Sequence, residues 1–262
     1  IKVLDSGGTG SYTDIMNGIQ WSVDNGANVI SMSLGGGGYD NAMDYAIDYA
    51  VSSNVAVLSA AGNNNSSTIS YPAAYDNSMA VGALSPCNER KNYSSCDGEN
   101  FWGSDYGDGL DFMAPGVRIH TTSVSGGYMS DFNGTSAATP HAAGIAGLLY
   151  SAMPTLSAED VREIMQVSSD DLSSPGWDGQ TGFGRLNAYM ALAYLTGGPE
   201  IGLDQEELLF TVESGDEVST DLTVINGGEI DLNITIDSFG YSYTNSDDEG
   251  EYTWVDISGE GI

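Results

Sequence analysis

Positive charge is the scarcest ingredient of this 262-residue chain. Six Lys and Arg stand against 37 Asp and Glu, for a formal charge of −31. A field of that sign repels phosphates and argues against nucleic acid as a partner. It favours solubility, cation binding or a saline medium. Two cysteines are too few for a disulfide-stapled miniprotein or a four-thiolate zinc site. Two histidines leave little material for a histidine-ligated metal. No apolar run reaches the roughly 18 residues of a membrane span, so no membrane partner is expected. What is present is a 40% apolar content, enough for a real core. The length exceeds one average domain and falls short of two, at about 100–200 residues each.

Apolar spacing predicts a helix over Tyr12–Asp24, with Ile15, Ile19 and Val23 on one face. A second is expected over Asn41–Ser52, where Met43, Ala46, Ile47, Ala50 and Val51 form the apolar face. Asp40, Asp44 and Asp48 recur at intervals of four and read as an exposed, self-repelling row. The segments Asn28-Val29-Ile30-Ser31-Met32-Ser33-Leu34, Val55-Ala56-Val57-Leu58-Ser59-Ala60-Ala61 and Met79-Ala80-Val81-Gly82-Ala83 read as buried strands. Strands separated by helices predict an α/β fold, a parallel sheet with helices on both faces. Thr135–Ala152 is apolar almost all round, so a fully buried helix is expected, stopped by Pro154. Ser157 and Asp160 form a capping box for the next helix, and a last helix runs through Leu195.

Gly197-Gly198-Pro199 marks a boundary between residues 1–196 and 200–262. Beyond it the apolar period becomes two, at Leu222, Val224, Leu232, Ile234 and Ile236. This predicts a small β-sandwich, which at this length falls short of the roughly 100 residues of a complete immunoglobulin-like one. It holds 17 acids and no Lys or Arg. Asp247, Asp248, Glu249 and Glu251 read as a solvated loop. The opening Ile1-Lys2-Val3-Leu4 reads as a strand, and a chain that opens in a core strand reads as part of a longer one.

The chemistry centres on Asn133-Gly134-Thr135-Ser136-Ala137-Ala138-Thr139-Pro140-His141. Here a serine opens an alanine-rich helix, and small neighbours let a substrate backbone approach. Free N–H groups and the helix dipole favour a developing oxyanion at that point. Taken alone, Ser136 also fits a plain N-cap. The α/β-hydrolase elbow does not fit, because its final glycine is Ala138 here.

Several ordered motifs resemble the subtilisin-like serine proteases, the subtilases, over about residues 1–196. The nucleophile motif is Gly134-Thr135-Ser136-Ala137-Ala138-Thr139-Pro140-His141. Ser33-Leu34-Gly35-Gly36 is similar to the family's substrate-lining strand, and Ala60-Ala61-Gly62-Asn63 to its oxyanion segment. Met113-Ala114-Pro115-Gly116, Lys2-Val3-Leu4 and Gly18-Ile19-Gln20-Trp21 also match. The resemblance implies a secreted, extracellular endopeptidase acting on protein or peptide substrates. Ser136 would be the nucleophile and Asn63 an oxyanion donor. Ser33, Leu34 and Gly35 would pair with an extended substrate, and with Ala60, Ala61 and Gly62 frame the pocket before the scissile bond. The family's glycine at that pocket is Ser70 here, implying a smaller or more polar pocket.

The family's catalytic Asp and His lie upstream of the residues matched, so the resemblance implies a partner: an N-terminal segment of the same protease. His141 is a structural histidine of the motif, expected to be packed on its helix. His120 reads as a surface histidine, and Asp5 opens a turn. The rival expectation is a catalytically inactive subtilase scaffold used for binding. Cys87 and Cys96 flank a surface loop and read as a disulfide rather than two free thiols, which fits an oxidising compartment. Calcium is the cofactor the resemblance implies. Ala73, Tyr75 and Asp111 match a cation site of subtilisins built partly from backbone carbonyls. Asp105-Tyr106-Gly107-Asp108-Gly109 is a second candidate by its clustered carboxylates.

Overall fold

The computed structural model describes residues 1–124 and 126–195, then the strands Ile201–Leu203, Val224–Asn226, Thr235–Asn245 and Asp248–Ser258. Contacts divide the chain into Ile1–Leu192 and Ala193–Ile262.

In the first unit, β1 (Val29–Met32), β2 (Ala56–Ala60), β3 (Met79–Leu84) and β4 (Leu110–Pro115) form a parallel sheet in that order. β2 and β3 are buried at every position, so both faces of the sheet are covered there. α1 (Tyr12–Asp24) and α2 (Asn41–Ser52) share one core with Ile30, Met32 and Val57. Each helix begins where its sequence offers a carboxylate. Ser11 and Asp14 make a capping box for α1, and Asp40 caps α2 by accepting the Ala42 and Met43 N–H groups at 2.9 and 3.0 Å.

α3 (Thr135–Ala152) packs across all four strands. It is buried on one side only: Ala138, Ala142, Ala146 and Leu149 are inside, whereas Leu148 is 47% exposed and His141 is exposed. The sequence predicted burial all round. Alanine and glycine satisfy a buried or an open face equally, so composition could not tell the two apart. α4 (Ala158–Val167) starts on the expected Ser157–Asp160 capping box, and α5 is Ala188–Leu195.

Other expectations also change. Residues 1–4 form no strand; Val3 packs instead against α1, where a Cβ on Gly18 would meet its Cγ1. The outer edge of β1 has no strand beside it among the described residues, and a groove of about 660 Å³ runs there between Val3, Ile19 and Ile30. The aspartate row of α2 is only half-exposed. Asp44 accepts the Tyr39 hydroxyl at 2.6 Å and Asp48 the Asn77 amide at 2.7 Å. β5 (Ile119–Thr122) and β6 (Tyr128–Phe132) add an antiparallel hairpin.

In the second unit, β7 (Ile201–Leu203) pairs antiparallel with β8 (Val224–Asn226), and β9 (Thr235–Asn245) with β10 (Asp248–Ser258). Asp248, Glu249 and Glu251 therefore lie in a strand, not a loop. Leu222, Leu232 and Ile234 lie outside the described residues, as does most of the expected sandwich.

Cys87 and Cys96 are joined. The loop they close holds Lys91, fully buried and paired with Asp97 at 3.1 Å. Replacing both cysteines with serine should lower the unfolding free energy by roughly 2.5–3 kcal/mol, the chain-entropy value for so short a loop. Denaturant titration of the two forms measures this. Coincident midpoints would mean that the bridge adds nothing.

Candidate active site

The expected residues meet at the N-terminus of α3. An α-helix leaves its first four N–H groups without intrahelical acceptors, and a side chain at the N-cap usually takes one. Here the N-cap is Gly134, at φ +121, with no side chain to offer. Asn63, from the loop after β2, takes its place. Its Oδ1 accepts the Thr135 N–H at 2.8 Å and the Thr135 hydroxyl at 3.1 Å. Thr135 Oγ1 in turn accepts the Gly62 N–H at 3.2 Å. With its oxygen so engaged, the Asn63 amide has its NH2 group left to donate.

Ser136 follows Thr135 and keeps a free helix-terminal N–H of its own. Four residues later Pro140 lacks the N–H that would bond the Ser136 carbonyl. The Ser33 hydroxyl donates to that carbonyl instead, at 2.8 Å. Ser136 Oγ makes a long 3.5 Å contact with the Ser33 carbonyl. The loop after β1 and the nucleophile position are thus tied in both directions. Gly36 N–H donates to the Tyr71 carbonyl at 3.0 Å, which sets Ser33, Leu34 and Gly35 beside the loop holding Ser70. Ala61 uses both backbone groups structurally: it donates to Val81 and accepts from Ser70. Ala60 closes β2.

Neither histidine bonds Ser136. His141 reaches back to the Ala137 carbonyl at 2.9 Å from an exposed position, so it is not packed as expected. His120 is exposed on β5, bonded to Ser130 at 2.7 Å and stacked on Tyr128. Asp5 accepts the Gly7 and Thr9 N–H groups and orders a turn.

A brace missed in the sequence stands behind Gly134. Glu99 accepts the Asn133 amide at 3.0 Å, the Trp102 indole at 2.9 Å and Arg118 Nε at 3.3 Å. Asn133 Oδ1 accepts the Arg118 N–H at 2.6 Å, which steadies a non-glycine residue at φ +52. Nothing in the local sequence marked Glu99, because Arg118 and Asn133 lie 19 and 34 residues away and only Trp102 is near.

Ala73, Tyr75 and Asp111 line one cavity of about 360 Å³, but the chemistry does not suit calcium. Asp111 accepts the Ala80 N–H at 2.7 Å and lies 3.8 Å from Arg162 Nε, whose guanidinium already supplies the positive charge. Among the described residues no three His, Cys, Asp or Glu converge. The second candidate fares no better, because Asp105 is buried and committed to N–H donors of the loop after Asn63.

Burial dominates Asp111, pushing its pKa up to about 6 against the opposing pull of Arg162. The unfolded carboxyl titrates near 3.9, so the folded state binds the proton more tightly. The stabilisation is complete below about pH 4 and is lost as the pH rises through about 6. Asp111→Asn should therefore flatten this stretch of the stability curve. Thermal melts of both forms from pH 3.5 to 7 check it; parallel curves would refute it.

The model of the Subtilase family matches residues 1–184. Subtilisin of Bacillus pumilus is 43% identical over 184 residues, covering 69% of this chain and 63% of that protein. Thermitase of Thermoactinomyces vulgaris is 37% identical over 196 residues, covering 74% and 64%. Among solved structures, a lanthipeptide protease superposes with TM-score 0.62 at 26% identity, covering 74% of this chain and 69% of that one. A subtilisin-like protease from the Antarctic Pseudoalteromonas sp. AS-11 superposes with TM-score 0.64 at 22% identity, covering 74% and 76%, and shows the shared fold. The chain spans under two thirds of the length of the curated relatives it matches. On the family match and these identities, this chain belongs to the subtilase family.

Proposed function

We propose that this chain carries the nucleophile and oxyanion hole of a secreted serine endopeptidase. The observation that carries the reading is the seating of Asn63 against Thr135, beside Ser136. An extended peptide pairs with Ser33, Leu34 and Gly35 through its backbone. Ser136 Oγ attacks the scissile carbonyl carbon, and the carbonyl electron pair moves onto oxygen. The Asn63 NH2 and the Ser136 N–H receive that oxyanion. Collapse breaks the C–N bond as the base passes the Ser136 proton to the leaving amine, and the acyl ester left on Ser136 is then hydrolysed by water.

A serine hydroxyl needs a base to take its proton. His120 and His141 bond elsewhere. The base and its orienting carboxylate therefore come from an upstream segment of the same protease, in keeping with the greater length of the relatives. The groove along the open edge of β1 suits that segment. The Cys87–Cys96 bridge supports an extracellular place, and no helix among the described residues is long and apolar enough to cross a membrane.

A fluorophosphonate probe should label Ser136 rapidly in the protein that includes the upstream segment, and poorly in residues 1–262 alone. In the longer protein Asn63→Ala should lower kcat about 10²–10³-fold with little change in KM, the loss known for such a donor in a subtilisin. Rapid labelling of the isolated chain would mean that one of its own residues is the base. No labelling of the longer protein would make the chain a binding scaffold.

A further inference from the structure

One buried carboxylate takes no part in the chemistry above. Asp105 lies between β3 and β4 and is 1% exposed. Its Oδ1 accepts the N–H groups of Asn64 and Ser66, both at 2.8 Å. Oδ2 accepts the Asn64 side-chain amide at 3.3 Å and the Ser70 hydroxyl at 3.4 Å. The Asp105 N–H donates to the Gly62 carbonyl at 2.8 Å. Every one of these bonds goes to residues 62–70, the segment that presents Asn63. The residues on either side of Asn63 are both held, while Asn63 keeps its side chain for Thr135.

Two residues of that segment adopt backbone conformations that L side chains rarely favour. Gly62 sits at φ +118, and Asn65, a non-glycine, at φ +54. A Cβ on Gly62 would lie 2.0 Å from Asp105 Oδ2, so the backbone is laid directly onto the carboxylate. Burying an ionised carboxylate is costly unless its oxygens are satisfied, and none of the described ion pairs includes Asp105. Charge-assisted bonds from backbone N–H groups offset that cost, and they are short and directional.

We propose that Asp105 is the positioning residue of the oxyanion hole. It never touches substrate; it fixes the backbone around Asn63 so that the amide stays between the Thr135 N–H and the substrate oxygen. The inference rests on the serine-peptidase reading. A misplacement near 1 Å at a reacting centre is enough to cost about 10²-fold in rate.

The test uses the protein that includes its upstream segment. Asp105→Ala should lower kcat by roughly 10–100-fold while KM stays within about threefold. Asp105→Asn, which keeps an acceptor for the Asn64 and Ser66 N–H groups, should recover most of the loss. Hydrogen exchange is read in parallel on an inactive Ser136→Ala background, which prevents self-digestion. Adding Asp105→Ala there should speed exchange of residues 62–70 by roughly tenfold or more and leave α2 unchanged. Unchanged kcat in an active enzyme, or unchanged exchange in the segment, would overturn the proposal. Equal acceleration in α2 would also overturn it, by making Asp105 a general stabiliser. If the unmutated protein cleaves no peptide, the peptidase reading fails and the catalytic role of Asp105 with it. The exchange result then decides separately whether the carboxylate holds the loop.

Discussion

The arrangement depends on one hydrogen bond, from the Thr135 N–H to Asn63 Oδ1 at 2.8 Å. It makes up for the missing side chain of Gly134, and glycine is needed there because a bulkier residue at φ +121 would be strained. The cap is borrowed from a residue 72 positions earlier. An amide has two ends, and committing the oxygen to the helix commits the nitrogen to face away from it. The same contact therefore stabilises α3, joins the ends of β2 and α3, and orients a donor. All of this sits beyond the carboxyl ends of parallel strands, where open α/β sheets gather their binding loops.

The parts legible in the sequence were those with a local cause. The bounds of α1 and α2 followed from apolar spacing, and the start of α4 from its capping box. Asn63 and Ser136 were singled out because each belongs to a compact motif, and the fold brings them together through Thr135. β4 was not read as a strand, since Asp111 interrupts its apolar run; its burial depends on Arg162 and on the Ala80 N–H. Asp105 read as a candidate cation ligand in a run of acids and glycines, and its burial was hidden in a similar way. The donors that bury it lie 39 and 41 residues away, and no window of sequence contains them. Lys91 gave no signal of burial either, being a charged residue in a polar loop.

Most of the few cations are spent as internal ties. Lys91 meets Asp97 beneath the disulfide loop, Arg118 meets Glu99, Arg162 meets Asp111 and Arg185 meets Asp170. Arg90 lies over the Tyr106 ring and donates to the Asn65 side chain and the Ser104 carbonyl. The Lys91–Asp97 pair is fully buried and gains from low dielectric, whereas Arg118 is exposed and its pair contributes little.

Spending nearly all the positive charge on internal ties leaves the rest of the molecule with a surplus of one sign, −31 in total. Compaction crowds those carboxylates together, and no lysine remains in number to neutralise them. The counter-charge has to be drawn from dissolved ions, which screen over about 10 Å at 0.1 M and about 3 Å at 1 M. Folding is then coupled to the uptake of small cations from solution. For this chain, dissolved salt is in effect a reactant of the folding equilibrium.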